Sequence, residues 1–562
     1  LVENGEEVYV KIKSNMIWRN VEAKNVIGVV EGTKYPDDVI IVSAYYDSWS
    51  PVPALSSGAD ESTAVASLLE LAKYFAENPP LRTIFFVAFS GHYQGLAGAR
   101  EFTEDIIYNR EVSTGRKIRI WMQINLDFST DSRRLSLLYA GHFYSLYGSL
   151  YALRLSWVTK RIYQGYLPAL KSILDFYEPE NSALSVYRWW ASVPIPYILD
   201  SEPLFAAGVL AFTLRSTETF RGYWNTPLND IAMVNLEYLK EHYLIASCII
   251  GGFSNEEAWG VSWGSVSPSR SFSRDKPALI TVKGMVTTYN ISKAWYSTIP
   301  GAIVRVNRPL TPTIPIFSAY PFTSIYAITD EKGHFEIHGI PLSYSYPQES
   351  IDGYGTPQVY WYFDAWVIGD DGRIKYAPDL GRYGRRFVSF ICTALAHPSF
   401  INTVVFKCDS VTLFDLINPD TVSSIAIPDP RMPRNLYQFN LVPTVYEFAT
   451  KSIPLHYGTI IDPYNDVGMA FSLPRENIFV LAGDQILLVN ASENYPEGYG
   501  CKANIPTIYS LYDYARDFYY VSLNRYKTLK SFHVESKSAE KALNLSSLLL
   551  LKAEEYLEKG QY

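Results

Sequence analysis

The sequence predicts an α/β domain with a mainly parallel sheet flanked by helices, followed by β-rich domains and C-terminal helices. Three observations predict it. Residues 24–250 alternate apolar, β-branched runs with runs of helical period, the order that builds a covered parallel sheet. A stretch rich in Ser, Gly, Trp and Pro at 254–276 then breaks the pattern. Beyond it lie short strand-like runs separated by Gly and Asp turns, and two helical segments close the chain. The expected division is therefore an α/β domain at 1–253, a linker at 254–276, a β domain at 277–410, a second β-rich domain at 411–505 and a helical segment at 506–562.

In chain order, Asn25–Gly32 and Asp38–Ala44 read as strands. Glu61–Asn78 reads as a helix, with Val65, Leu68, Leu69, Ala72 and Phe75 on one side. Arg82–Ser90 is a buried strand, Gln94–Glu104 a helix, and Lys117–Phe128 and Arg134–Ala140 further strands. In such a sheet ligands belong at the carboxyl ends of the strands. After the linker, Leu279–Tyr289, Gly301–Asn307, Ser324–Thr329 and His334–Ile340 are strand-like, with a turn at Asp330-Glu331-Lys332-Gly333. Trp361–Ile368 and Arg373–Tyr376 flank Gly369-Asp370-Asp371-Gly372, a hairpin signal. Val404–Ile417 is another strand run, and helices are expected near Thr507–Asn524 and Ser538–Gly560.

Composition narrows the function classes. The net charge of −8 and the absence of basic runs argue against nucleic acid as a partner. Hydrophobic residues make up 48% of the 562, enough for a sizeable core. Charged residues are only 19%, and 44 tyrosines supply much of the polarity, which suits interfaces. No apolar run approaches the ~18 residues of a membrane span. The chain opens on Leu1, which reads as a processed or partial chain. Of the four cysteines, Cys248 reads as a buried thiol, and Cys392 and Cys408 are candidates for a disulfide among three pairings. Sequons at Asn290, Asn490 and Asn544 point to an extracellular or cell-surface glycoprotein.

Six motifs in order identify the first domain. They are Asn25–Gly32 with Tyr35-Pro36-Asp37-Asp38; Ser43-Ala44-Tyr45-Tyr46-Asp47-Ser48-Trp49; Gly58-Ala59-Asp60-Glu61-Ser62-Thr63-Ala64; Gly91-His92-Tyr93-Gln94-Gly95-Leu96-Ala97-Gly98-Ala99; Asn125-Leu126-Asp127; and Tyr223-Trp224-Asn225-Thr226-Pro227-Leu228-Asn229. Over some 230 residues this order resembles the zinc aminopeptidase family that includes glutamate carboxypeptidase, the transferrin receptor and nicastrin. The resemblance implies two zinc ions about 3.5–4 Å apart, clamping water and a carbonyl oxygen. It places the bridging ligand at Asp60, a second ligand at Asp127 and the residue orienting the first histidine at Asp47. The other three ligand positions hold Tyr45, Tyr93 and Asn225, and the general-base position holds His92. A neutral tyrosine is a poor zinc ligand at neutral pH.

The expectation is thus a catalytically degenerate domain with no zinc pair, leaving room for a weak divalent cation on Asp60 and Asp127. Asp60 is expected to cap the following helix, and Asp47 and Asp127 to bond Tyr45, Tyr93 or backbone. The candidate cleft is Asp47, Trp49 and Tyr93. Val282-Lys283-Gly284 through Gly301–Val306, then Ala327–Pro341, resembles the carboxypeptidase regulatory-like domain, a transthyretin-like β-sandwich found in secreted proteins. His334 and His338 in it read as structural. Tyrosines at 144, 147 and 151 and at 509, 512, 519 and 520 are candidate contact residues. The leading functional reading is a structural or binding protein at the cell surface, working with other copies of itself or neighbouring surface proteins. Two others stay open: a working metallopeptidase with an altered site, and a receptor for peptide or glycan in the cleft.

Overall fold

The computed structural model describes residues 21–50, 53–138, 141, 143–144, 152–170, 184–186, 197–261, 279–290, 292–307, 324–341, 361–370, 374–379, 390–392, 399–407, 409–414, 439–441, 467–471, 477–478, 480–482, 486–488, 491–496, 501–502 and 507–559. The first domain contains β1 (Val26–Val30), β2 (Tyr35–Tyr45), α1 (Thr63–Glu77), β3 (Arg82–Phe89), α2 (Ala97–Thr103), α3 (Arg110–Thr114), β4 (Arg119–Asp127), β5 (Leu135–Leu138), α4 (Ala152–Arg161), β6 (Leu184–Val186), α5 (Glu202–Ala206), β7 (Leu210–Ser216) and α6 (Leu236–Asn255). The strands form one sheet in the order β1-β3-β2-β4-β7-β5-β6. Its centre, β3-β2-β4-β7, is parallel, and β1 and β5 pair antiparallel at either side. Val39, Ile40, Ile41 and Val42 are all fully buried, as a strand covered on both faces requires.

Helix α1 covers the sheet with Ala64, Leu68, Leu71 and Phe75. These recur at the helical period, whereas Leu69 lies about 100° further round and is 66% exposed, contrary to the stripe read from sequence. The side chain of Asn235 caps α6 by accepting from the amides of Glu237 and Tyr238 at 3.1 and 3.2 Å. That helix runs to Asn255, two residues into the stretch read as linker. Cys248 on it is a free, half-buried thiol that donates to the Tyr166 carbonyl.

A second unit follows: β8 (Leu279–Asn290), β9 (Trp295–Thr298), β10 (Ile303–Asn307), β11 (Ile325–Ile328), β12 (His334–Pro341), β13 (Trp361–Ile368), β14 (Ile374–Pro378), β15 (Phe390–Cys392) and β16 (Ser399–Lys407). They hydrogen-bond in the order β11-β10-β13-β14-β16-β8-β12, with β15 on β13 and β9 on β8. The turn expected at Asp330–Gly333 is present. Gly333 has φ +78°, and the Asp330 carboxylate accepts from the amides of Lys332 and His334 at 2.9 and 2.8 Å. Strands β13 and β14 form the expected hairpin. The run read as one strand at Val404–Ile417 is two, β16 and β17 (Asp409–Phe414), with position 408 between them.

Further strands are β18 (Phe439–Leu441), β19 (Val467–Phe471), β20 (Asn477–Ile478), β21 (Val480–Ala482), β22 (Ile486–Leu488), β23 (Cys501–Lys502) and β24 (Thr507–Tyr509). β24 pairs with β17, so residues 507–509, expected in a helix, belong to a sheet. Two helices close the chain, α7 (Ser510–Ser531) and α8 (Lys537–Glu558). No described helix is long and apolar enough to cross a membrane. Asn490, Tyr147, Tyr151 and Cys408 lie outside the described residues, as does the side chain of Cys392 at the end of β15, so the candidate Cys392 and Cys408 disulfide falls outside them too. Asn290 ends β8, and its side chain accepts from Ser292 and Lys293. Asn544 is exposed on α8.

The two large units share one apolar core that runs from β2 through Leu279, Ile280 and Trp361. Polar contacts lock the seam. Buried Arg100 of α2 donates to the Gly95 carbonyl at 2.8 Å and the His338 carbonyl at 2.7 Å. The buried Tyr144 hydroxyl donates to the Gly339 carbonyl at 2.5 Å, and the Leu279 amide donates to the Tyr108 hydroxyl at 2.8 Å. His338 Nδ1 lies 2.6 Å from Glu101, so this histidine is structural in a specific sense: it ties β12 to α2.

Candidate functional site

The carboxyl ends of β2, β3, β4 and β7 converge on one cluster. β2 delivers Tyr45 and then the Asp47–Trp49 loop. The turn before α1 delivers Asp60 and Glu61. The loop after β3 delivers His92 and Tyr93, β4 ends on Asp127, and β7 and its following loop deliver Arg215, Arg221, Trp224 and Asn225. This is where an open α/β sheet places its site.

Asp60, fully buried, does not cap α1; Ser62 occupies the cap position. Its carboxylate accepts four hydrogen bonds: from Ser129 Oγ at 2.5 Å, the Thr130 amide at 2.7 Å, Thr130 Oγ1 at 2.6 Å and Trp224 Nε1 at 2.8 Å. A carboxylate has about four acceptor positions, so Asp60 is saturated.

Asp127, also buried, lies between two arginines. Arg215 Nη1 donates to one carboxylate oxygen and Arg221 Nη1 to the other at 2.6 Å. Arg221 Nη2 also reaches the Asp127 and Ser216 carbonyls at 3.0 and 3.3 Å. The tyrosine partners expected for Asp127 are thus replaced by guanidinium groups, which match a carboxylate in geometry and charge. Arg221 stacks over Trp224 at 4.3 Å and Arg215 over Tyr197 at 5.0 Å. Burial, and for Arg215 the neighbouring Arg221, lowers both from the ordinary arginine value. Arg221 holds φ +48° and Asn225 φ +63°, conformations that cost strain and mark a loop held by its contacts.

An aromatic stack fills the space beside this pair. The Tyr45 ring lies 3.9 Å from His92 at 17°, and His92 meets Tyr93 edge-on at 4.8 Å. His92 Nδ1 is 2.7 Å from Asp200 Oδ2, and the His92 amide donates to Asp47 at 3.3 Å. The Tyr93 hydroxyl donates to Glu61 at 2.5 Å, and burial raises Glu61 to about 7. Burial also raises Asp47, against the attraction of His92.

The family model of Peptidase family M28 matches residues 25–247. The α/β domain belongs to peptidase family M28.

Among curated relatives, a probable zinc metalloprotease of Pyricularia oryzae is 38% identical over 96 residues, 16% of this chain and 19% of that one. A glutamate carboxypeptidase 2 homolog of Caenorhabditis elegans is 29% identical over 110 residues, 18% and 13% of the two chains. The chain thus spans a fifth or less of the length of these two relatives. Among solved structures, a zinc aminopeptidase from Bacillus subtilis aligns with TM-score 0.31 and 18% identity, over 42% of this chain and 50% of that one.

The M28 domain brings together all the residues singled out in sequence: Tyr45, Asp47, Asp60, His92, Tyr93, Asp127 and Asn225 share one end of the sheet, with Trp49 half-buried in the adjoining loop. Their arrangement does not fit a zinc pair. Asp60 has no acceptor position left, and Asp127 faces two cations. Among the described residues no three His, Cys, Asp or Glu side chains gather as a metal site needs. Sequence reasoning missed Arg215, Arg221, Glu61 and Asp200. Arg215 stands opposite Asp127 in the parallel register of β4 and β7, each at its strand's carboxyl end, a pairing across the sheet that no sequence motif signals.

Proposed function

We propose that the M28 domain of this chain is a scaffold that holds no zinc pair, and that the chain is an extracellular or cell-surface structural protein acting through contacts with its own kind or neighbouring surface proteins. The observation that carries this reading is the Arg215–Asp127–Arg221 cluster. A divalent cation at Asp127 would have to enter against two fixed guanidinium charges in a site shielded from water, where like-charge repulsion is largest. Tyr45, Tyr93 and His92 pack on one another as core side chains do, and burial raises both tyrosines well above the ordinary phenol value, so neither offers a phenolate.

The test is the metal content of chain purified without chelator, together with hydrolysis of aminoacyl-anilide substrates. The expected result is no stoichiometric zinc and no hydrolysis above background. About two zinc ions per chain, the complement of a two-metal site, with turnover, would establish instead a working peptidase with an altered site. The extracellular reading predicts sugar increments in the intact mass of native material, from one or more of Asn290, Asn490 and Asn544; a bare mass counts against it.

A further inference from the structure

We propose that Asn290 carries an N-linked glycan and that Trp295 is the platform on which its first sugar lies. This rests on the extracellular reading of the chain, and names a site and a contact within it.

Asn290 and Ser292 are the first and third residues of a sequon. Asn290 ends β8, and the turn at 292–294 leads into β9, which opens on Trp295. The Asn290 side chain fixes that turn through its oxygen alone. Oδ1 accepts from Ser292 Oγ at 2.6 Å and from the amides of Ser292 and Lys293 at 3.1 and 3.3 Å. Nδ2, the atom to which a sugar is joined, donates to no described residue. Asn544, by contrast, lies inside α8, where the backbone is held in the helical ladder.

Trp295 stands directly across from Asn290. The two are register partners in the β8–β9 pair, so their side chains leave the hairpin on the same side, with Cβ atoms about 4.5–5.5 Å apart. Trp295 is 71% exposed, and among the described residues it is the one exposed tryptophan. Tyr296 meets it edge-on at 6.0 Å and pairs in turn with Tyr289, which steadies the indole while leaving most of it in water. Such a ring is apolar surface that folded chains normally cover. A sugar on Nδ2 does so at short range. A pyranose presents a face of C–H groups that packs on an aromatic face, while its hydroxyls stay in water. The sugar is tethered one residue away from the ring, so the contact needs no second binding event.

The addition is a group transfer from a lipid-linked sugar phosphate. The bond from Nδ2 to the anomeric carbon forms, and the bond from that carbon to the phosphate oxygen breaks. The phosphate leaves with the electron pair, and the amide nitrogen gives up one proton.

The test is peptide mapping of native chain by mass spectrometry, joined to hydroxyl-radical labelling of the folded protein. Sugar is expected on Asn290. Trp295 in chains that carry it should label at about half the rate or less found in Asn290→Gln and Ser292→Ala chains, since a stacked sugar covers one of the two indole faces. Ser292→Ala keeps Asn290 and the backbone donors to it, so agreement between the two variants separates the sugar from a disturbed turn. Phe532, 73% exposed and remote in sequence, should label alike in all three. Equal labelling of Trp295 with and without the sugar overturns the platform. A bare Asn290 with sugar on Asn490 or Asn544 overturns the site and leaves the extracellular reading standing. A chain bare at all three sequons removes both.

Discussion

Replacing Asp127 with Asn tests the account of the cleft by the sign of its effect. The two side chains have nearly the same volume, so the change is electrostatic. Asp127 is 1% exposed and its two oxygens meet Arg215 and Arg221 separately. Removing one member of a buried ion pair costs about 3–5 kcal/mol, and here two buried cations are left facing a neutral amide, which puts the cost near 5 kcal/mol. A cleft built for metal behaves in the opposite way. Its carboxylates repel one another when the cation is absent, and neutralising one relieves the repulsion. Native-state hydrogen exchange on β4 and β7 reads the difference locally. At 1.36 kcal/mol per tenfold, their slowest amides should exchange roughly a thousandfold faster or more in Asp127→Asn. Unchanged or slower exchange would refute the counter-ion role of the arginines. A triple variant, Asp127→Leu with Arg215→Met and Arg221→Met, removes all three charges and should recover most of the loss, since apolar replacement of a buried ionic triad is often neutral.

Two further outcomes follow from burial and packing. Burial raises Glu61 and Glu202 to about 7 and lowers His242 to about 4. Each carboxyl holds its proton better when folded, so stability grows as pH falls from above 7 toward the unfolded value of 4.5, while His242 opposes this below 6.5. Two carboxyls against one imidazole leave a net gain of about 2–3 kcal/mol between pH 8 and pH 5, seen as a rising urea midpoint that Glu61→Gln flattens; a falling midpoint contradicts it. Gly339 sits at φ +76°, and a Cβ there would meet Arg100 Cβ at 2.9 Å, so Gly339→Ala should lower the melting temperature and loosen the seam by small-angle scattering, whereas an unchanged melt would show that the seam yields freely.

The sheet was legible because a covered parallel strand has to be apolar along its whole length, and Arg82–Ser90 and Asp38–Ala44 are. The site's position was legible because its motifs fall at strand ends. What sequence did not disclose is pairing across the sheet. Asp60 looked like a cap because it precedes a helix, but its partners Ser129, Thr130 and Trp224 come from segments far along the chain. Leu69 looked like core because a five-residue apolar stripe can be drawn two ways round a helix, and only the sheet beneath chooses. Glu61 stands inside a quoted motif but beside its ligand position, and Asp200 lies outside all six motifs; their roles arise from Tyr93 and His92, which reach them over 32 and 108 residues.

The two carboxylates of the cleft are held by different means, Asp60 by neutral donors and Asp127 by two cations, and the difference bears on what the cleft can bind. Asp60 is held by neutral donors, each of which can rotate or withdraw at the cost of one hydrogen bond, about 1 kcal/mol. Asp127 is held by two permanent charges anchored from β7 and the loop after it, with Trp224 stacked on one and Tyr197 on the other. On the proposed reading, histidine placed at Tyr45 and Asn225 and glutamate at Tyr93 would therefore supply ligand types without building a cation site. The arriving metal would still have to displace Arg215 and Arg221, and each displaced guanidinium would be left buried without its counter-charge. The arginines also have a structural effect: through Asp127 and the Ser216 carbonyl they join β4, β7 and the loop that carries Arg221 into one unit.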